Sequence, residues 1–124
     1  MNELDMSKAL TPIDLSSALE RIGGDESFLY DLINIYTEDF SEKYSRLQQA
    51  VENEDFETIR ELGHNLKGSS ANLSLIHLQK VSYDLEESGK DRDLEKAQKS
   101  LLLLDQEFRR LQDYLAQKNN PSPD

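Results

Sequence analysis

No cysteine occurs in the 124 residues, so neither a disulfide framework nor a thiolate metal site is open to this chain. Proline is confined to Pro12, Pro121 and Pro123, glycine is scarce, and no alternating run rich in valine or isoleucine appears, which leaves β-strands little support. No stretch approaches the eighteen or so consecutive apolar residues of a membrane span. Met1 to Lys8 also lacks a basic segment followed by an apolar one, so a soluble cytoplasmic protein is expected, with no membrane contact by this domain. Basic residues are the minority, 14 against 25 acidic for a net charge of -11, a surface that the phosphates of nucleic acid would repel. The length suits one domain with one modest core.

What is present is helical in period. A short first helix starts with Asp14 as its N-cap, turns Leu15, Ala18, Leu19 and Ile22 inward, and stops at Gly23-Gly24. A long second helix follows Asp25 with Leu29, Leu32, Ile33, Tyr36, Phe40, Tyr44, Leu47 and Val51 on one stripe. Asp55 caps a third from Phe56 to about Leu73, and Ser74 breaks its register. The fourth takes Leu75, Leu78, Val81, Ser82 and Leu85 inward and ends at Ser88-Gly89, where Gly89 suits a left-handed C-terminal position. The last begins near Asp91 or Asp93 and repeats Leu94, Ala97, Leu101, Leu104, Phe108, Leu111 and Leu115 at spacings of three and four, the seam of a bundle or coiled coil.

Short turns between long helices cannot reach around a bundle, so the expected fold is all-α, an antiparallel up-and-down four-helix bundle with a short N-terminal capping helix. The bundle is expected over residues 13–117, with a flexible N-terminus at 1–12 and a disordered tail at 118–124. The heptad seam leaves an alternative in which the last helix pairs with its copy.

The third helix carries the chemistry. On a wheel of 100° per residue, Ile59, Leu62, Gly63, Leu66, Ser70 and Leu73 cluster on one side while His64 falls opposite, beside Arg60, Lys67 and Gly68. An imidazole facing water is largely neutral at physiological pH, with one bare ring nitrogen that is a nucleophile or a metal ligand. Zinc would want further ligands at one-turn spacing, and His77 lies on the flank of another helix, so no metal site is expected. A hydrolytic triad is unsupported, because Ser70 points to the core and Ser69 sits at its edge. Covalent phosphorylation fits better: a phosphoryl group on His64 would lie within reach of Lys67.

No carboxylate cluster beside His64 is legible that would hold Mg²⁺, so the catalytic groups and the metal are expected from a partner, and the chain acts as a carrier with no cofactor of its own rather than as an enzyme. Gly68 costs about 1 kcal/mol in a helix interior relative to alanine, and clearance for an approaching protein accounts for it. The runs Asp84, Glu86, Glu87 and Asp91 to Lys99 read as solvated helix faces.

The string Gly63-His64-Asn65-Leu66-Lys67-Gly68-Ser69-Ser70-Ala71-Asn72-Leu73-Ser74 resembles the hallmark helix of histidine-containing phosphotransfer domains, which reads Ala-His-x-Leu-Lys-Gly-Ser/Ala-Ser/Ala-x-x-Leu-Gly. The Gly-Gly-Asp turn at 23–25, the long helix with Phe40, the acidic turn at Asp55 and the pair Leu85-Glu86 extend the resemblance over residues 13–117. It implies a phosphorelay intermediate of two-component signalling that takes a phosphoryl group from a receiver-domain aspartate and passes it to another receiver. Carried over by position, His64 is the phosphoacceptor, Lys67 the phosphate-stabilising cation, and Arg60, Gly68 and Ala71 the docking face. Response-regulator receivers and a hybrid or sensor histidine kinase are the implied partners.

Two alternatives are a phosphoacceptor domain of a histidine kinase, labelled in trans by ATP, and a helical module that binds receivers without being phosphorylated. Two positions depart from the pattern. Gly63 replaces the commoner alanine and is expected to loosen the helix slightly. Ser74 replaces the closing glycine and is expected to compensate as N-cap of the next helix. Neither is expected to touch the transfer chemistry.

Overall fold

The computed structural model describes residues 11–119, and these hold five helices and no strand. They are α1 (Leu15–Arg21), α2 (Glu26–Glu52), α3 (Phe56–Asn72), α4 (Ile76–Lys90) and α5 (Leu94–Asn119). Three start on an aspartate whose carboxylate accepts a backbone N–H two or three residues into the helix: Asp14 from Ser17, Asp25 from Phe28 and Asp55 from Thr58. Asp93 accepts in the same way from Lys96 at the start of α5. Each bond satisfies one of the donors that a helix N-terminus leaves without an internal partner.

The long helices pack in sequence, α2 on α3, α3 on α4 and α4 on α5, and α5 returns to α2, which closes a bundle. Its core is the stripe expected of α2, with Leu29, Ile33, Tyr36, Phe40, Leu47 and Val51 buried, facing Ile59, Leu62 and Leu66 of α3, Leu78, Val81 and Leu85 of α4, and Ala97, Leu104, Phe108 and Leu111 of α5. Phe40 stacks on Phe108 with ring centroids 3.8 Å apart, tying α2 to α5. The apolar stripe of α5 is thus turned to its own bundle, with Leu94, Leu101 and Leu115 partly buried at its edges. Pro12 and Ile13 are buried ahead of α1. The Asp14 N–H donates to the Ser74 carbonyl, and the Ser74 hydroxyl donates to Ser17, which pins the start of α1 to the α3–α4 turn.

The three turns between long helices share one construction. Asp55, Leu75 and Asp93 each donate a backbone N–H to the carbonyl five residues back, on Ala50, Ser70 and Ser88, at 2.8, 2.9 and 2.9 Å. The residue just before each donor is left-handed, at φ 53° for Glu54 and 54° for Ser74 and Arg92, as this helix-ending motif requires.

Two expectations are corrected here. Gly89 does not take the left-handed position: α4 continues through it, Arg92 takes that role, and Gly89 is buried where a Cβ would lie 2.5 Å from the Arg60 nitrogen and 2.6 Å from the Phe56 carbonyl oxygen. Its smallness is what the fold uses, not its torsional freedom. Ser74 is left-handed but is not the N-cap of α4; Leu75 holds that position without a side-chain bond, because the Ser74 hydroxyl is spent on Ser17. At the C-terminus α5 runs on to Asn119, into the stretch expected to be tail. The remainder of that tail, 120–124, and residues 1–10 of the expected flexible N-terminus lie outside the described residues.

Candidate functional site

α3 is held firmly at its start and along its back. Asp55 accepts both the N–H and the hydroxyl of Thr58, at 3.2 and 2.6 Å, and these bonds, the hydroxyl's first, keep its carboxyl below the usual carboxylate range. Phe56, Ile59, Leu62, Gly63, Leu66 and Ser70 are buried, the last with its hydroxyl 2.7 Å from that of Tyr36. Burial pushes the Tyr36 phenol well above its ordinary range, against the Ser70 hydrogen bond, so it stays neutral and fixes the α2–α3 contact. The opposite side of α3 then presents His64, Asn65 and Gly68 to solvent, with the His64 side chain 64% exposed.

The structure adds a residue that the sequence reading set aside. Glu86 is not part of a solvated face: its side chain is only 13% exposed and reaches from α4 to α3. One carboxylate oxygen accepts from His64 Nδ1 at 2.8 Å and from Lys67 Nζ at 2.9 Å, and the other accepts from Lys67 Nζ at 2.8 Å. A carboxylate only accepts, so Nδ1 carries the proton and Nε2 is the bare nitrogen of the neutral ring. Burial raises the Glu86 carboxyl, but the hydrogen bonds from Lys67 and His64 outweigh it and hold the group below its ordinary value.

Gly63 lies at this crossing between α3 and α4. A Cβ there would sit 2.6 Å from the Glu86 nitrogen and 3.0 Å from its Cα, so the two backbones meet directly behind His64 and the carboxylate needs only its own length. The sequence holds a signal of a close contact at Glu86 but none that names the helix it reaches. Glu86 follows the core residue Leu85, and the small residues Ser82 and Gly89 lie one turn to either side, a pattern that announces a close neighbouring helix.

The remaining expected residues divide. Lys67 stands beside His64 as expected, though its ammonium is already paired with Glu86 and lies 5.7 Å from the Tyr83 ring centroid. Gly68 is exposed, and a Cβ there would meet nothing within 4 Å, so helix packing does not explain it. Arg60 is half-buried and paired with Glu57 at 2.6 Å, and Ala71 is half-buried. The Ser69 hydroxyl donates to carbonyls of its own helix, on Asn65 and Leu66, and Ser70 is engaged with Tyr36, so neither serves as a nucleophile for His64. His77 is half-buried on α4, away from the cluster formed by His64, Lys67 and Glu86.

Among the described residues no group of three or more histidine, cysteine, aspartate or glutamate side chains could hold a metal ion, and no helix is long and apolar enough to cross a membrane. A groove of about 650 Å³, absent from the expected docking face, opens where Ser69 of α3 and Leu73 just after it meet Leu32, Ile35 and Tyr36 of α2 and Ile22 after α1. Ile35 on its rim is 62% exposed.

A family model described as Hpt domain matches residues 31–116. The chain belongs to the Hpt family. The match runs from within α2 almost to the end of α5 and takes in His64, Lys67 and Glu86, while α1 lies ahead of it. Hpt domains are phosphocarriers rather than enzymes, and membership implies histidine phosphotransfer in two-component signalling. A comparison with curated proteins gives no match.

Proposed function

We propose that this Hpt domain is a phosphorelay carrier in which His64 accepts a phosphoryl group at Nε2 from the phosphoaspartate of a receiver domain and yields it to an aspartate of another receiver. The observation that carries this reading is the exposed imidazole whose Nδ1 is tied to Glu86, which leaves Nε2 as the available lone pair. In the accepting step that lone pair forms the N–P bond. The P–O bond to the donor aspartate breaks, and its electron pair stays on the departing carboxylate.

Glu86 fixes the tautomer and the ring's orientation, as a third group does for a catalytic base. Lys67 provides positive charge beside the transferred group, an exposed interaction of about 1 kcal/mol. That is far below the several kcal/mol asked of a phosphoryl-transfer site, so the receiver supplies the carboxylates and Mg²⁺. Glu86, already paired with Lys67, is poorly suited to hold the ion.

The receiver docks over Gly68 and the apolar groove beside Ile35, with Arg60 and Ala71 on the same face, and a hybrid or sensor histidine kinase feeds the relay in the cytoplasm. A domain over residues 13–117 in which α2 to α5 run antiparallel, up and down, with α1 as a cap, suits this reading. Gly63 of α3 meets Ser82 and Glu86, whereas the earlier Phe56 and Arg60 meet Gly89, so the two helices count in opposite directions.

Incubation with a panel of receivers carrying radiolabelled phosphoaspartate is expected to give an acid-labile, alkali-stable label on the wild-type chain and none on His64→Gln. The same label on His64→Gln, or none on the wild type with any receiver, contradicts the assignment.

A further inference from the structure

The acidic residues are unevenly spread along the chain. None of the 25 falls between Leu62 and Tyr83, a stretch that holds Lys67 and Lys80, although the whole chain stands at -11. The fold turns that stretch into one surface made of the second half of α3, the turn after it and the first half of α4. His64 and Gly68 lie on it. An acidic partner is repelled by the rest of the molecule and meets its least opposition here.

The ion pairs beside this surface are turned in opposite senses. On the α4 flank the cation is the outer member: the Lys80 side chain is 68% exposed against 25% for Asp84, and Lys67 is likewise more exposed than Glu86. On the α2 flank, at the apolar groove, the carboxylate is the outer member, with Asp39 41% exposed against 19% for Lys43. A docking protein therefore meets positive charge on one side of His64 and negative charge on the other. Such an arrangement selects partners and fixes their register more than it adds affinity.

The positive flank also has a shape. A cleft of about 320 Å³ opens there between Lys67, Ile76, Gln79, Lys80 and Tyr83. The ammonium groups of Lys67 and Lys80 lie 5.7 and 5.9 Å from the centroid of the half-exposed Tyr83 ring, whose face attracts cations and gathers the two at one place. We infer that this cleft is a specificity-determining docking site for an aspartate or glutamate side chain of the receiver, one other than its phosphorylated aspartate; this rests on the carrier reading above. The carboxylate meets the two ammonium groups, while Ile76 and the Tyr83 ring pack against the carbons of its stem. Lys67 also faces His64, so Lys80 is the cation whose loss isolates the cleft from the transfer chemistry.

The test measures phosphoryl transfer to the full chain as a function of receiver concentration, using each phosphorylated receiver of the panel above that labels His64. The wild type is compared with Lys80→Glu, Lys80→Gln and Lys99→Glu. Lys99 is an exposed residue of α5, so its reversal makes the same charge change outside the cleft. Lys80→Glu is expected to raise the half-saturating receiver concentration about tenfold at low salt and Lys80→Gln about threefold, with the rate at saturation unchanged. Lys99→Glu is expected to shift it by less than about twofold, and about 0.5 M salt should shrink the Lys80→Glu effect to a similar size. Thermal transitions check the fold of each variant, and Lys80→Gln covers the case in which glutamate beside Asp84 disturbs α4. Equal shifts for Lys80→Glu and Lys99→Glu, or a loss confined to the saturated rate, would overturn this inference and leave the carrier reading intact. A wild-type chain that no receiver labels at His64 overturns both.

Discussion

Gly63 and Gly68 share one helix, and a methyl group added to each would meet opposite surroundings. At Gly63 it would lie 2.6 Å from a backbone nitrogen of α4, whereas at Gly68 it would find nothing within 4 Å. One glycine serves what lies behind α3, and under the proposed function the other serves what arrives in front. The back is a seam between α3 and α4, closed by Gly63 on one helix and Gly89 on the other, where backbone meets backbone and no atom can be added. The front is an imidazole, a cation and an open notch, where additions cost the fold nothing and obstruct only a partner. If the proposed function holds, stability and transfer are controlled from the two sides of a single helix, and substitutions should separate them.

The largest effect is expected at the seam. Gly63→Ala and Gly89→Ala each force the helices apart, and after allowing about 1 kcal/mol for alanine's better helix propensity a net loss of about 2 kcal/mol remains, measured by urea unfolding. Neutral results at both positions would dissolve the seam half of the comparison. At Gly68 the sign reverses. Gly68→Ala should stabilise the chain by about 1 kcal/mol and yet slow transfer from a receiver several-fold; unaltered transfer at raised stability would mean that the notch is not used.

The link between the two sides has an effect no larger. Glu86 has its carboxyl pKa lowered in the folded chain, so the unfolded chain binds the more protons through the acid range, and the stabilisation is present above the ordinary carboxylate pKa and lost as pH falls through the lowered one. Wild type should exceed Glu86→Gln by about 1 kcal/mol at neutral pH, with the gap closing only at pH values below the ordinary carboxylate range. A gap that closes near neutrality would assign it to another group.

The same two sides explain what was legible in the sequence. The front of α3 could be read from its periodicity, because a helix wheel places His64, Lys67 and Gly68 relative to their own helix and needs no neighbour. The inward stripes of α2 and α5 were legible for the same reason. What crosses between helices was not. Glu86 is twenty-two residues from His64, and its role depends on how closely α4 approaches α3, a distance set by Gly63 and Gly89 together. Gly89 illustrates the difficulty, since a glycine near a helix end signals a left-handed cap and a close contact equally well, and the sequence does not say that Arg92 tolerates the cap. The groove beside Ile35 stayed hidden too, because Leu32 and Tyr36 read as stripe residues until α1 and the end of α3 define its walls.

With Glu86 occupying Nδ1, Nε2 is the proposed reacting nitrogen, and nitrogen NMR of the His64 ring before and after phosphorylation by a receiver should find the proton on Nδ1 in the resting chain and a phosphorus coupling at Nε2 afterwards. A resting ring protonated at Nε2, or a phosphoryl group found on Nδ1, would contradict this assignment.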